Sequence, residues 1–296
     1  MIVVFGSINL DLIFALPHIP TQGETVLCPT VRIEPGGKGA NQAVAAARDG
    51  AQVVMAGAVG RDALASDALK LLKQANVDLT RVIATDAATA AAAVCVDPQG
   101  HNAIAVGSGA NLLAKSSQVE DTLLSPATTV ILQMEVSPNE TAALIHRAKS
   151  MGARIVLNLA PASALPVETL KAVDILTVNE IEAEWLAAHL GCGPTAVALR
   201  QKLGIVIIRT LGADGVEAAT QDGVLRIPAK RIIPVDTTAA GDCFVGVLAS
   251  ALDRGGSLSD ALQRATAAAA LCCMKPGSQG SLPWANETDS HGASTG

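Results

Sequence analysis

Residues 129–157 read TVILQMEVSPNETAALIHRAKSMGARIVL, and this stretch decides the fold class. An apolar run, Thr129–Met134, is followed by Ser137-Pro138-Asn139-Glu140, which predicts a helix start: Ser137 as N-cap, a proline at the first helical position and Glu140 closing a capping box. Gly152 stands where a C-terminal glycine belongs. The helix is therefore predicted over about Pro138–Met151, and a second apolar run, Arg154–Leu157, follows at once. The same alternation extends in both directions. Ile2–Phe5, Gln52–Ala58, Ile175–Val178 and Ile205–Arg209 are further strand-like runs separated by helical patterns, as a parallel sheet requires. A doubly wound α/β sheet is predicted.

Two segments break the alternation. Ile13–Ile33 and Ala88–Ala105 read as short strands joined by turns such as Asp97-Pro98-Gln99-Gly100, and they are expected to pair into a small sheet covering the main one. Toward the C-terminus, Ser259–Met274 reads as an Ala-rich helix. After Pro283-Trp284 the polar run Ala285–Gly296 is predicted to be disordered. No internal repeat or interdomain linker is visible.

Composition narrows the function classes. Of 296 residues, 50% are hydrophobic and 16% charged, which excludes general disorder. A net charge of -6 leaves no basic footprint for nucleic acid or anionic lipid. With no Tyr, three Phe and two Trp, the core must be built from Ala, Val, Leu and Ile. Cys28, Cys95, Cys192, Cys243, Cys272 and Cys273 form no CxxC pair and read as free cytosolic thiols. The N-terminal run Met1–Gly6 lacks a basic leader and a cleavage site, so it reads as a first strand. No stretch approaches the roughly 18 apolar residues of a membrane span. A cytoplasmic protein is expected.

Three constellations carry candidate chemistry. Glu34-Pro35-Gly36-Gly37-Lys38-Gly39-Ala40-Asn41-Gln42 is a glycine cluster opening a helix, where backbone can approach a ligand and free N–H groups face an electronegative partner. It matches neither GxxxxGK[ST] nor GxGxxG. The glycines alone would equally make a tight strand-to-helix turn, but Lys38 and Asn41 on the first turn favour a ligand site. In Val235-Asp236-Thr237-Thr238-Ala239-Ala240-Gly241-Asp242-Cys243-Phe244, small residues leave the first N–H groups of a helix uncovered for an anion, with Asp242 beside them. That pairing suits phosphoryl transfer, with Asp242 taking the proton of an attacking hydroxyl; the alternative is an Asp that only complements the helix dipole. In Gly6-Ser7-Ile8-Asn9-Leu10-Asp11, Asn9 and Asp11 face one side just past the first strand, although as turn residues they would be ordinary.

Smaller signals lie at the carboxyl ends of other predicted strands: Glu135, Asn158, Asn179-Glu180-Ile181-Glu182 and Thr210-Leu211-Gly212. One crevice could collect them all. There is no HExxH or GxSxG, and His18, His101, His146, His189 and His291 are scattered without ligand spacing, so zinc and serine hydrolases are disfavoured. Cys243 beside Asp242 reads as a small thiol packed under a helix start rather than a nucleophile.

The stretches Gly36–Ala46 and Val235–Phe244 resemble the two signatures of the PfkB-type, ribokinase-like carbohydrate kinase family. Landmarks agree in order from Ile2 to about Trp284: Gly6–Asp11, Gly23-Glu24-Thr25, Gly109-Ala110-Asn111, Asn179–Glu182, Thr210–Gly212, Lys275-Pro276-Gly277 and Ser281–Trp284. The resemblance implies a ribokinase-like α/β fold, a doubly wound, mainly parallel sheet flanked by helices with a small β-sheet lid. It implies a single kinase domain over residues 1–284, with lid segments at about 13–33 and 88–105, and a homodimer formed through the lid.

The resemblance also implies ATP-dependent phosphorylation of a sugar's primary hydroxyl, with D-ribose the favoured acceptor and D-ribose 5-phosphate and ADP the products. Deoxyribose, ketose or nucleoside kinases of the same family are the alternatives, and a catalytically silent sugar-binding protein a more distant one. Carried over by motif, Asp242 is the general base and the N–H groups of Ala239, Ala240 and Gly241 the anion hole. Asn9, Asp11, Gly37, Lys38, Asn41 and Glu135 match the sugar-contacting positions. Asn179 and Glu182 correspond to an NxxE motif near Mg²⁺ and the ATP phosphates, and Thr210 and Gly212 fall on the nucleotide side. A monovalent cation, usually K⁺, is expected beside Asp236, Thr238, Cys272, Lys275, Gly277 and Ser281, mostly through backbone carbonyls. The chain departs from the family at Pro276, at Thr266 near the expected adenine position, and in a polar C-terminus where a final amphipathic helix is usual.

Overall fold

The computed structural model describes residues 1–99 and 101–293. The chain opens with β1 (Ile2–Phe5), continues as β2 (Asn9–Ala15) and returns through β3 (Val31–Gly36) into α1 (Lys38–Arg48). Next come β4 (Val53–Gly60), α2 (Ala63–Ala68), α3 (Lys70–Gln74), β5 (Asp78–Thr85), β6 (Ala90–Val96) and β7 (Asn102–Gly107). The second half runs β8 (Thr129–Leu132), α4 (Pro138–Ser150), β9 (Arg154–Asn158), α5 (Val167–Ala172), β10 (Ile175–Val178), α6 (Glu180–Leu190) and α7 (Ala196–Leu203). It ends with β11 (Val206–Thr210), β12 (Val216–Thr220), β13 (Gly223–Ile227), α8 (Ala240–Asp253), α9 (Leu258–Cys273) and α10 (Ala285–Ala293).

Nine strands form the main sheet in the order β13-β12-β11-β10-β9-β8-β1-β4-β5, parallel from β11 to β5. The hairpin β12–β13 adds an antiparallel edge. Along β1, Ile2 and Val4 enter the core on the α1, α8 and α9 side, while Val3 and Phe5 enter the core under α4 and α6. Both faces are covered, which is why these strands read as unbroken apolar runs. The small sheet has the order β3-β2-β6-β7, with β2 parallel to β6 and the other pairs antiparallel.

The scarcity of aromatic residues is compensated by close helix packing. A Cβ built on Gly246 of α8 would lie 2.5 Å from the Gln42 carbonyl and 2.7 Å from the Ala45 Cβ of α1. Together with buried Ala40, Ala43, Ala45 and Ala46, this lets the two helices approach almost backbone to backbone.

The structure corrects two local expectations. The α4 helix begins at Pro138, but Ser137 makes no capping bond and Glu140 does not close a box. Its carboxylate instead accepts from the Ser116 N–H and hydroxyl, both at 2.9 Å, and from Lys115 at 3.1 Å. A long-range partner has displaced the local one. The second correction is the C-terminus. Residues 285–293 are not disordered but form α10. Its first turn is closed by Glu287, which accepts from the Trp284 N–H at 2.8 Å. Ion pairs Lys275–Glu287 and Arg264–Asp289 fasten it, so polar residues hold the helix that composition alone placed in solvent. Residues 294–296 of that run, and Gly100 of the turn in the small sheet, lie outside the described residues.

Gly246→Ala should gain about 1 kcal/mol of helix propensity but lose more to overpacking against the α1 backbone, typically about 1–3 kcal/mol. The expected net result is a lower denaturation midpoint, read by chemical unfolding; a midpoint at or above that of the parent would contradict the close contact.

Candidate active site

Asp242 sits on the first turn of α8 and is buried, 6% exposed. Its Oδ2 accepts from the Asn41 side-chain amide and its Oδ1 from that of Gln42, each at 2.9 Å. The carboxylate is thus gripped by two consecutive residues of α1. Just before it, Ala239 takes a left-handed conformation (φ 60°), unusual for a residue with a side chain, and turns the chain into α8. The Ala240 N–H donates to the Thr237 carbonyl at 3.2 Å. The N–H groups of Ala239, Gly241 and Asp242 have no acceptor among the described residues. Of the three amides expected to be open, Ala240 is therefore engaged and the other two remain available.

The start of α1 differs from its sequence reading, for its N–H groups are not free. Lys38 N–H donates to Glu135 Oε2 (3.0 Å), Gly39 N–H to Ser7 Oγ (3.2 Å) and Ala40 N–H to the Ser7 carbonyl (2.9 Å). Ser7 Oγ in turn donates to Glu135 at 2.6 Å. The helix terminus is capped from β1 and β8, and the ligand-facing chemistry there belongs to side chains. The glycines instead serve close approach: a Cβ on Gly37 would lie 2.8 Å from the Asn9 backbone nitrogen, and one on Gly36 2.1 Å from an Asp11 carboxylate oxygen.

Asn9 and Asp11 lie past the end of β1 but belong to β2, opposite Gly36 and Glu34 in the small sheet. Asn9 Oδ1 accepts from Asn111 at 2.7 Å, which fixes the orientation of its amide. Burial chiefly, then the neighbouring Glu135, Glu34 and Asp242, push the Asp11 carboxyl up to about 7, against a smaller pull from Lys38. The Lys38 ammonium is held above its usual range, mainly by Asp242 against the opposing effect of burial, with help from Glu135, Glu182 and Asp11. One cation therefore serves four carboxylates.

A cleft of about 230 Å³ runs from Lys38 and Asp242 past the small residues 239–241 to Asn179, Glu182 and Thr210. Asn179 and Glu182 form a reciprocal capping box on α6, with N–H to oxygen distances of 2.8 Å both ways. Burial pushes the Glu182 carboxyl above its usual range, opposed by the Asn179 N–H and Lys38 and reinforced by Asp242. Gly212 (φ 53°) turns the chain just beyond Thr210 but does not line the cleft. Thr266, at the expected adenine position, bonds its hydroxyl to its own helix, to the Leu262 carbonyl at 2.8 Å.

Behind α8, Asp236 accepts from the Thr238 N–H (2.9 Å) and the Gly277 N–H (3.0 Å). Burial raises its carboxyl, but these bonds prevail and hold it below the usual range. Cys272 Sγ lies 3.0 Å from Ser281 Oγ and 3.7 Å from the Thr238 carbonyl, and the Cys272 carbonyl accepts from the Lys275 N–H at 3.2 Å, so the backbones or side chains of all six expected cation-site residues adjoin one another. The side chain of Lys275 turns away to Glu287. Cys243 is buried, and its hydrogen bond with Cys272, then burial, pushes its thiol far up, which makes it inert packing.

Sequence reading did not assign Ser7, Gln42 or Gln133, which the structure places beside the site residues. The available signal was a lone polar residue inside a run predicted to be buried: Gln42 among alanines, Gln133 within Thr129–Met134. Both are fully buried.

The profile of the pfkB family of carbohydrate kinases matches residues 1–285. The chain is 36% identical to the ribokinase of Mus musculus over 296 residues, covering 96% of this chain and 92% of that protein. Among solved structures, it is similar to the ribokinase of Thermotoga maritima, with a TM-score of 0.90, 30% identity and 98% of both chains covered. It is also similar to Arabidopsis thaliana ribokinase complexed with ribose and ATP, with a TM-score of 0.88, 28% identity and 98% coverage of both.

Because the Asp11 carboxyl is raised in the folded protein, its contribution to stability is complete below about 3.8 and is lost as pH rises to about 7. The slope reaches up to about 1.4 kcal/mol per pH unit. Asp11→Asn should therefore match the parent's thermal midpoint near pH 4 and exceed it near pH 8. Equal midpoints at both pH values would refute the raised carboxyl.

Proposed function

The chain belongs to the pfkB family of carbohydrate kinases, and from that premise we propose that it transfers the γ-phosphoryl group of ATP to the primary hydroxyl of D-ribose, giving D-ribose 5-phosphate and ADP. The observation that carries this reading is Asp242, an oriented carboxylate one residue from unpaired helix N-terminal amides. A carboxylate beside such amides repels a resident anion, yet it is well placed to accept a proton from a neutral hydroxyl. As the hydroxyl oxygen attacks the γ-phosphorus, its proton passes to Asp242 and the bond to the ADP oxygen breaks. The N–H groups of Ala239 and Gly241 take up charge on the moving phosphoryl group, and Ala240 joins them if its bond to Thr237 opens.

The two ends of the cleft divide the labour. Asn9, Asp11, Lys38, Asn41 and Glu135, with the close backbone at Gly37, offer directed donors and acceptors to a hydroxyl-rich sugar. Asn179, Glu182, Thr210 and Gly241, which line the cleft, serve the nucleotide side.

Mg²⁺ brought with the nucleotide neutralises charge on the phosphate oxygens. Asn179 and Glu182 line the cleft and are the residues that would hold it, and the burial that raises the Glu182 carboxyl is a cost that a bound cation would relieve. A monovalent cation such as K⁺ would be held behind α8, with Asp236 and Ser281 supplying side-chain oxygens and the backbone at Thr238, Cys272, Lys275 and Gly277 supplying carbonyls. Among the described residues no three His, Cys, Asp or Glu side chains cluster to hold a metal alone, which suits an ion shared with phosphates or carbonyls.

The small sheet acts as the lid over the sugar end. On one face of this sheet Val31 and Ile33 are exposed beside half-buried Leu12 and Phe14, their register partners, an apolar surface that suits a second copy of this chain. The six cysteines are free, which suits a reducing, cytoplasmic setting.

ADP release measured with D-ribose, 2-deoxyribose, fructose and adenosine, each with K⁺ or with a bulky organic cation, should show ribose-dependent turnover that rises with K⁺. Turnover with another acceptor alone would overturn the substrate. In the same assay Asp242→Ala should lower kcat by about 10²–10⁴ with folding intact; near-parental turnover would sink the base assignment. Ile33→Glu should shift a dimer seen by analytical ultracentrifugation to monomer, and an unchanged dimer would remove the lid from the interface.

A further inference from the structure

Behind the Asp242 carboxylate lies a chain of buried amides, of which Asn158 lines the cleft while Gln42 and Gln133 do not. Gln133, at the end of β8, donates from Nε2 to Gln42 Oε1 at 2.6 Å. Gln42 Nε2 donates to Asp242 Oδ1 at 2.9 Å and to Asn158 Oδ1 at 3.1 Å. Asn158 Nδ2 completes the series on the Thr177 carbonyl at 3.3 Å. We infer that Gln133 and Gln42 are positioning residues for the reaction, a buried amide relay that fixes the direction of the Asp242 carboxylate. The inference rests on the reading of Asp242 as base.

The direction of each amide follows from chemistry. An ionised carboxylate only accepts, so the Gln42 nitrogen must face Asp242 and its oxygen must face the other way. There it meets the Gln133 nitrogen. Were Gln42 to turn over, its oxygen would oppose both Asp242 Oδ1 and the Asn158 oxygen, and its nitrogen would oppose the Gln133 donor. Gln133 therefore locks the orientation of Gln42, and Gln42 that of Asp242.

The relay is costly to the fold. Gln133 is fully buried and its Oε1 has no partner among the described residues. Gly6 is pressed against that atom, since a Cβ there would come within 1.9 Å of it. An apolar side chain at 133, directly after the apolar run Val130–Leu132 of β8, would avoid an unsatisfied buried acceptor. The one bond gained by the Gln133 side chain is the bond to Gln42. Gly246 contributes from the other side, since the close approach of α8 to α1 brings Asp242 within reach of Gln42.

The charged and titratable groups acting on Asp242 are Lys38 of α1, Asp11 of β2, Glu182 of α6 and Cys272 of α9. None of them is altered by substitutions at 42 or 133. The test uses the full chain with ribose and Mg·ATP, measuring kcat and both KM values from pH 5.5 to 9 for Gln133→Met, Gln42→Glu and Asp242→Asn. Gln133→Met removes the donor at similar volume and should lower kcat by about 10–100-fold with both KM values nearly unchanged. Its acid limb should also move upward, because the freed Gln42 no longer stabilises the ionised base.

Gln42→Glu supplies a sharper sign. Ionised, it repels Asp242; protonated, it can donate again, so its turnover relative to the parent should recover as pH falls. A purely structural role predicts a loss independent of pH. That outcome overturns the relay, as does Gln133→Met with parental kcat and an unmoved acid limb. Should Gln133→Met fail to fold, the Gln42→Glu profile decides alone. Asp242→Asn with parental turnover would fell the base reading and the relay together, whereas an inert Asp242→Asn beside unperturbed glutamine variants would overturn the relay only.

Discussion

The structure turns on the meeting of two helix N-termini, α1 and α8, at the carboxyl edge of the main sheet. Asn41 and Gln42 of the first helix hold both oxygens of Asp242 on the second, and neither bond could form at an ordinary interhelical spacing of about 8–10 Å with large side chains between. Gly246 and the alanines of α1 remove that spacing. The α1–α8 contact is accordingly lined by Ala and Gly.

Charge divides the cleft into two chemical halves. At the Lys38 end stand Asp242, Glu135 and Asp11, an excess of carboxylate that disfavours an anion there and favours a neutral ligand rich in hydroxyls. Beyond Asp242 the balance reverses, because unpaired helix amides offer partial positive charge with no acidic side chain paired to them. Asp242 sits at the border. A carboxylate at that border is where the proposed reaction asks for its base, between a hydroxyl-binding end and an anion-binding end.

What could be read from sequence was what depends on neighbouring residues. Apolar runs gave the strands, and Asn179 with Glu182 lie three apart on one helix turn, where a capping box is possible without knowledge of anything else. The motif at Ala239–Asp242 announced itself through small residues in a row. What escaped was set by partners far along the chain. Ser7 and Glu135, separated by 128 positions, cap α1 in place of a ligand. Glu140 left its local box for Ser116, because a hydroxyl and an N–H together offer more than the single N–H of its own helix start. The polar C-terminus folded because its acids found Lys275 and Arg264, a pairing that composition cannot foresee.

The two signature loops are also joined to each other by the segment that follows α9. The Gly277 N–H holds Asp236, ahead of α8, while the next residue turns toward the small sheet: Ser278 N–H donates to Glu34 Oε2 at 3.2 Å and its hydroxyl to the Pro35 carbonyl at 2.7 Å. Ser281, three residues later, stands against Cys272. Gly277 has a φ of 91° with Glu34 packed on it, so the chain can bend between these duties only because no side chain is present. A shift of this segment would therefore be felt both at the first turn of α8 and at the strand that leads into Gly36 and Gly37. The site is one mechanical unit, though its parts come from opposite ends of the sequence.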